Sequence, residues 1–159
     1  QDIPGVGRFA VMADPDGAVL CLFTPTTMQP PAPLPAGAPG TIGWHELYAG
    51  DGARAWAFYH QQFGWEKDDA IDMGPMGVYQ LFRAGAAERD GGMMTRPPQM
   101  PVAAWLYYFN VEAIDSAVAR VAAAGGKVVS GPMEVPGGRW IAQAIDPQGA
   151  MFALVAPKR

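Results

Sequence analysis

Cysteine is nearly missing from this sequence. Cys21 stands alone, so no internal disulfide can staple the fold, and a reducing, cytoplasmic setting suits the chain. Charge is scarce as well: 16% of residues are Asp, Glu, Lys or Arg, and the formal net charge is -4. Nucleic-acid binding draws its affinity from clustered Lys and Arg. No such cluster occurs, which excludes nucleic acid as a partner. No apolar run reaches the ~20 residues that span a bilayer, and no basic-plus-apolar leader begins at Gln1, so no membrane partner is expected. Gln1 is not an initiator Met, and reads as something other than a native start. Histidine is limited to His45 and His60. The motifs C-x-x-C, H-E-x-x-H, G-x-S-x-G and a strand-to-helix G-x-G-x-x-G are all missing, which leaves a histidine-based metalloenzyme, a nucleophile-elbow hydrolase and a dinucleotide enzyme without support.

What the sequence does have is apolar content and repetition. Half of its 159 residues are apolar, enough for one well-buried domain and too few residues for two ordinary ones. The stretch DIPGVGRFAVMADPDGAVLCLFTP from Asp2 aligns without a gap on EVPGGRWIAQAIDPQGAMFALVAP, Glu134 to Pro157. Pro4 falls on Pro136, Gly5 on Gly137, Ala10 on Ala142, Asp14-Pro15 on Asp146-Pro147, Gly17-Ala18 on Gly149-Ala150, and Leu22 on Leu154. This is an internal repeat. Arg8 to Ala13 and Ala18 to Phe23 read as a hairpin around Asp-Pro-Asp-Gly, which is marginal alone and must pair with something. Residues 24–40 hold six of the 16 prolines and read as a semi-extended linker.

Ile42 to Ala49 alternates as a strand. Asp51 sits where a helix N-cap belongs, and a stripe of Ala55, Phe58, Tyr59 and Phe63 carries that helix to Gly64. Strand-like stretches follow around Glu66 to Met73, Val78 to Arg83 and Glu88 to Thr95. RPPQMP breaks the chain, and the order restarts: a strand from Ala104 to Val111, a helix from Ile114 to Ala124 ended by Gly125-Gly126, then strands over Lys127 to Ser130, Arg139 to Ile145 and Ala150 to Val155. Setting Trp44 against Leu106 also sets Ala55 against Ala117, Tyr59 against Val121 and Gly64 against Gly126. Residues 41–159 are thus two copies of a strand, helix, three-strand unit.

Two tandem βαβββ units resemble the vicinal oxygen chelate superfamily, the group of glyoxalase I, bleomycin resistance proteins and extradiol dioxygenases. The residues that carry the resemblance are DGARAWAFYHQQFGW (Asp51 to Trp65), GGM (Gly91 to Met93), AAGGKVVSGP (Ala123 to Pro132), and PGGRW with DPQGAMFAL (Pro136 to Leu154). Within it the likeness is to the tandem-module glyoxalase-like or hydroxylase branch. The resemblance implies an α+β fold: one curved mixed sheet around a cup, with the helices outside. It also makes residues 1–23 the terminal hairpin of an incomplete first module, expected to pack on a neighbouring chain or an exposed sheet, so that a homodimer or strand exchange through the hairpin is the expected assembly.

Metal-using members of the family project His, Glu or Gln ligands into the cup from the first, fourth, fifth and eighth strands. Carried across, those places fall on Trp44, the neighbourhood of Gly92 to Met94, Leu106 and Ala153, and none of these supplies the imidazole, carboxylate or thiolate a divalent ion needs. Neither a metal nor a cofactor is therefore expected. Cys21 matches Ala153 and reads as a buried structural thiol. His45 and Glu46 leave the strand on opposite faces, with His45 in the core against the helices and His60 on the wet side of its helix.

The expected ligand-binding residues are Trp44, Glu46, Tyr48, Met93, Leu106, Tyr108 and Gln143, with Met151 and Ala153 beside them; the facing is open on the fourth strand between Met93 and Met94 and on the seventh between Trp140 and Gln143. Aromatic walls with a few polar groups suit a flat or partly apolar small molecule; the bland alternative is that they fill a core. Glu46 is the candidate catalytic residue. A carboxylate on that face binds a cationic ligand together with Trp44 and Tyr108, acts as a general base, or points to solvent at the mouth. The functional expectation is a glyoxalase/bleomycin-resistance-like module that binds a small, partly aromatic or cationic molecule in a metal-free cup. The alternatives are a lyase, hydroxylase or dioxygenase with non-standard ligands or an active site in the incomplete module, and a domain that serves chiefly for dimerisation.

Overall fold

Asp51 starts the first helix as its position predicts. Its backbone is extended, its side chain accepts from the Arg54 amide at 2.8 Å, and helix α1 runs over Gly52–Phe63. Gly64 ends it at φ 69°, a left-handed conformation that costs glycine nothing, and returns its N–H to the His60 carbonyl. Helix α2, Ile114–Ala123, has no side-chain cap at Ala113; Ser116 instead donates to the Ala113 carbonyl.

The computed structural model describes residues 1–27, 32, 34–85 and 87–159. Its strands are β1 (Asp2–Ile3), β2 (Gly7–Ala13), β3 (Val19–Pro25), β4 (Ile42–Ala49), β5 (Glu66–Asp72), β6 (Val78–Arg83), β7 (Gly91–Thr95), β8 (Ala104–Asn110), β9 (Lys127–Val135), β10 (Arg139–Ile145) and β11 (Met151–Ala156). Strands β1-β2-β3 form a small sheet, and the larger, mixed sheet has the order β5-β6-β7-β4-β8-β11-β10-β9. Each βαβββ unit therefore contributes its four strands in the same relative order, and the fold is α+β as expected. Part of the proline-rich linker, residues 28–31 and 33, lies outside the described residues.

The start of β7 and the end of β9 differ from the sequence reading. β7 begins at Gly91 rather than Glu88. β9 continues past Ser130 to Val135: Gly131-Pro132 reads as a break, but the pairing with β10 shifts register around Gln143 and absorbs those residues as a bulge. The short β1 and a single 3-10 turn at Gly74–Met76 carried no sequence signal.

The chain divides into two units, Gln1–Pro33 with Leu47–Trp105, and Leu34–Glu46 with Leu106–Arg159. In the first, Leu47 and Ala49 of β4 pack with Ala55 and Tyr59 of α1, Phe82 and Met93. Trp65 is sandwiched between Tyr59 and Phe82, at ring distances of 4.8 and 4.5 Å, and Trp105 meets Tyr59 edge-on, geometries that aromatic quadrupoles favour. The hairpin belongs to this unit. Asp14 takes the amides of Asp16 and Ala18 to shape the turn and the Tyr59 hydroxyl at 3.1 Å; Asp16 accepts from the Asp51 amide and pairs with Arg54; Ala18 and Leu20 enter the core. In the second unit Ile114 and Ala117 of α2 pack on Ala142, Leu154 and Ala156.

Cys21 corrects the expectation of a buried thiol: it is exposed. Phe9 pairs with Phe23, Val11 with Cys21 and Ala13 with Val19, so all six side chains share one face of the hairpin, and α1 packs on the other.

Candidate functional site

In the second unit, the backbone register lines up three strands at one point. Gln143 of β10 pairs directly with Ala153 of β11, and Ala153 pairs in parallel with Tyr108 of β8. Residues paired across strands project from the same face. The alternate positions Ala142, Leu154 and Ala156 go to α2, so Gln143, Ala153 and Tyr108 look the other way. On β4, Leu47 and Ala49 face the α1 core, which by alternation puts Trp44, Glu46 and Tyr48 on the opposite side of that strand.

Three of the expected residues meet. The Tyr108 hydroxyl donates to Glu46 Oε1 at 3.1 Å, and Gln143 Nε2 donates to the Tyr108 hydroxyl at 2.9 Å and more weakly to Glu46 Oε1 at 3.5 Å. Glu46 is 8% and Tyr108 2% exposed. A carboxylate removed from water is costly unless hydrogen-bonded, and these donors compensate it. Leu106, two residues before Tyr108, is buried on the same face, and Trp44, two before Glu46, is half-buried.

The other expected residues have different surroundings. Tyr48 is half-buried in the first unit, and Met93 lies in the core packed with Leu47, Ala55 and Tyr59. Trp140, whose facing the sequence left open, packs with the α2 core and holds the Arg159 guanidinium over its ring at 5.0 Å. His45 is half-buried rather than enclosed, with Tyr107 edge-on at 5.7 Å. His60 is exposed, as expected, beside the Trp65 carbonyl.

Trp44, Leu106 and Ala153 on this face carry no imidazole, carboxylate or thiolate, the groups that hold divalent ions. Among the described residues no three His, Cys, Asp or Glu side chains gather in a way that could hold an ion. No helix among them is long and apolar enough to cross a membrane.

Sequence reasoning named Glu46, Tyr108 and Gln143 separately and missed that they form one relay. The available signal was Ala153: a small residue between two long polar ones on adjacent strands. It also missed Asp14, Asp16 and Tyr59, which fix the hairpin to α1.

Residues 41–154 match the family described as Glyoxalase/Bleomycin resistance protein/Dioxygenase superfamily. "Putative glyoxylase CFP32" of Mycobacterium bovis is 33% identical over 156 residues, covering 98% of this chain and 58% of that protein. "Anthracycline biosynthesis protein DauV" of Streptomyces sp. strain C5 is 32% identical over 159 residues, 98% of this chain and 54% of that protein. The chain thus spans little more than half the length of these relatives. In fold it is similar to a Mn(II)-bound glyoxalase from Novosphingobium aromaticivorans, with a TM-score of 0.65 at 16% identity over 99% of this chain and 52% of that one.

Proposed function

Because the chain belongs to the Glyoxalase/Bleomycin resistance protein/Dioxygenase superfamily, we propose that it is a glyoxalase-like module that binds a small, partly aromatic or cationic molecule, without a divalent cation, on the sheet face that carries Glu46. The observation behind this reading is the buried Glu46 carboxylate, held by Tyr108 and Gln143, on the face that also carries Trp44 and Leu106. An acceptor held against aromatic and aliphatic surface recognises a ligand with a polar or positive end and a flat apolar body. The same family positions that would supply metal ligands hold Trp44, Leu106 and Ala153, which favours binding through hydrogen bonds and apolar contact.

Thermal-shift screening of the chain against matched aromatic amines, carboxylates and neutral analogues tests it. Amines are expected to raise the Tm, and Glu46→Gln to abolish that rise. A stoichiometric ion in the purified chain would replace this reading with a metal-dependent lyase, hydroxylase or dioxygenase.

A further inference from the structure

We propose that the first unit carries a binding site for a small organic carboxylate, in a cavity between the β2-β3 turn, the start of α1 and the loop that follows β7, with the Arg96 guanidinium as its anchor. The site is built wholly from that unit and does not rest on the reading of the Glu46 face.

The cavity has a volume of about 460 Å³, within the range of small-molecule sites. Asp16, Arg54 and Arg96 line it, with Pro15, Pro101 and Val102 as apolar wall. Two guanidiniums thus meet one carboxylate, and that carboxylate is already engaged. Asp16 accepts from the Asp51 amide through one oxygen and pairs with Arg54 through the other. Its side chain is 2% exposed, against 61% for Arg54, so the negative charge is buried while Arg54 stays accessible. The start of α1 does not supply the attraction, because the Gly52 amide donates to Thr95 Oγ1 at 3.0 Å and the Arg54 amide to Asp51 at 2.8 Å.

Arg96 carries the unmatched charge. Its backbone N–H donates to the Ala49 carbonyl at 2.7 Å, and its guanidinium donates through Nη1 to the Met100 carbonyl. The loop closes on the half-buried side chain and holds it in place. Salt bridges among the described residues use Arg8, Arg54, Arg83, Arg89 and Arg159, and none uses Arg96. A carbonyl oxygen satisfies one donor of a five-donor fork and leaves the positive charge uncompensated. A fixed guanidinium of this kind favours an anion, and its planar fork matches the two oxygens of a carboxylate.

The class of anion follows from the balance of charge. Arg54, Arg96 and Asp16 together leave one positive charge, which a carboxylate neutralises and a phosphate dianion would overshoot. Pro15, Pro101 and Val102 then offer apolar surface to a short aliphatic or aromatic body.

Isothermal titration of the 159-residue chain with sodium benzoate tests this, with benzamide as the uncharged control and inorganic phosphate as the competing anion. The unaltered chain is expected to bind benzoate at least tenfold more tightly than either. Arg96→Gln, which keeps a donor for the Met100 carbonyl, is expected to weaken benzoate at least tenfold and to leave benzamide unchanged. Val102 is 63% exposed, so Val102→Glu adds a like charge to the wall without disturbing the core; it is expected to weaken benzoate severalfold at low salt and less at high salt. Benzoate bound no more tightly than benzamide, or unaffected by both substitutions, would overturn the site. Phosphate bound more tightly than benzoate, and lost with Arg96→Gln, would overturn its assignment to a carboxylate.

Discussion

The chain carries one phrase twice and gives it two different surroundings. In the C-terminal copy, β10 and β11 are covered by α2 on one face, and β8 pairs along the free edge of β11. In the N-terminal copy, β2 and β3 form the same hairpin with the same turn, but β3 is the last strand of its sheet. The identical leucines make the contrast plain: Leu154 is 6% exposed and Leu22 41%, while Val11, at the position of Gln143, is 62% exposed. The shared turn residues thus dictate the hairpin, whereas burial and chemistry come from what lies beside it. The turn shows this most sharply. Asp14 and Asp146 accept the same pair of backbone amides, yet Asp14 also takes the Tyr59 hydroxyl.

The largest expected contrast is at the two leucines. Leu154→Ala should destabilise the second unit by about 2–5 kcal/mol, the usual cost of a large-to-small change in a packed core. Leu22→Ala should cost less than about 1 kcal/mol, as surface substitutions do. Denaturant midpoints measure both, and equal losses would dissolve the comparison. Next come the turn aspartates. Removing either side chain loses the turn's amide bonds, but Asp14→Ala also strips an acceptor from a buried phenol, so its cost should exceed that of Asp146→Ala by about 1–3 kcal/mol.

Thiol chemistry sharpens the comparison without altering stability. Cys21 should react readily with a maleimide in the native chain, whereas Ala153→Cys in a Cys21→Ser background should label only on unfolding, because that position is wholly buried. Comparable native labelling at both would contradict the assigned burial. The smallest effect concerns acid. The amide of Asp69 and then the guanidinium of Arg89 hold the Asp68 carboxyl below its ordinary value. A depressed folded-state value means the stabilisation is complete above the ordinary aspartate range and is lost as pH falls through the lowered value. Asp68→Asn should therefore lower stability slightly at neutral pH, with the difference fading in acid, as read from pH-dependent Tm values.

Much of the architecture was legible because local signals were strong. Asp51 and Gly64 bracket α1 where their capping chemistry places them, and the alternation of β4 predicted that Leu47 and Ala49 would turn toward a helix. The end of β9 was not legible, since Gly131-Pro132 signals a break locally and only pairing with β10 shows it to be a bulge. Cys21 misled for a related reason. Its alignment with Ala153 predicted burial, but burial depends on strands and helices supplied by the rest of the chain. At the site, alternation placed Glu46 and Tyr108 on the right faces, and Gln143 remained open because seventh-strand facing depends on that same bulge. Met93 sits in the α1 core because β7 is buried on both sides, so alternation gave no contrast to read.

The claim at the centre of this account is that the Glu46 face works through hydrogen bonds in place of an ion. Elemental analysis of the 159-residue chain, equilibrated with Mn(II), Zn(II) and Fe(II) and then desalted, tests it most directly. The account predicts no metal retained in stoichiometric amount. One ion held per chain, and released by Glu46→Gln, would contradict it.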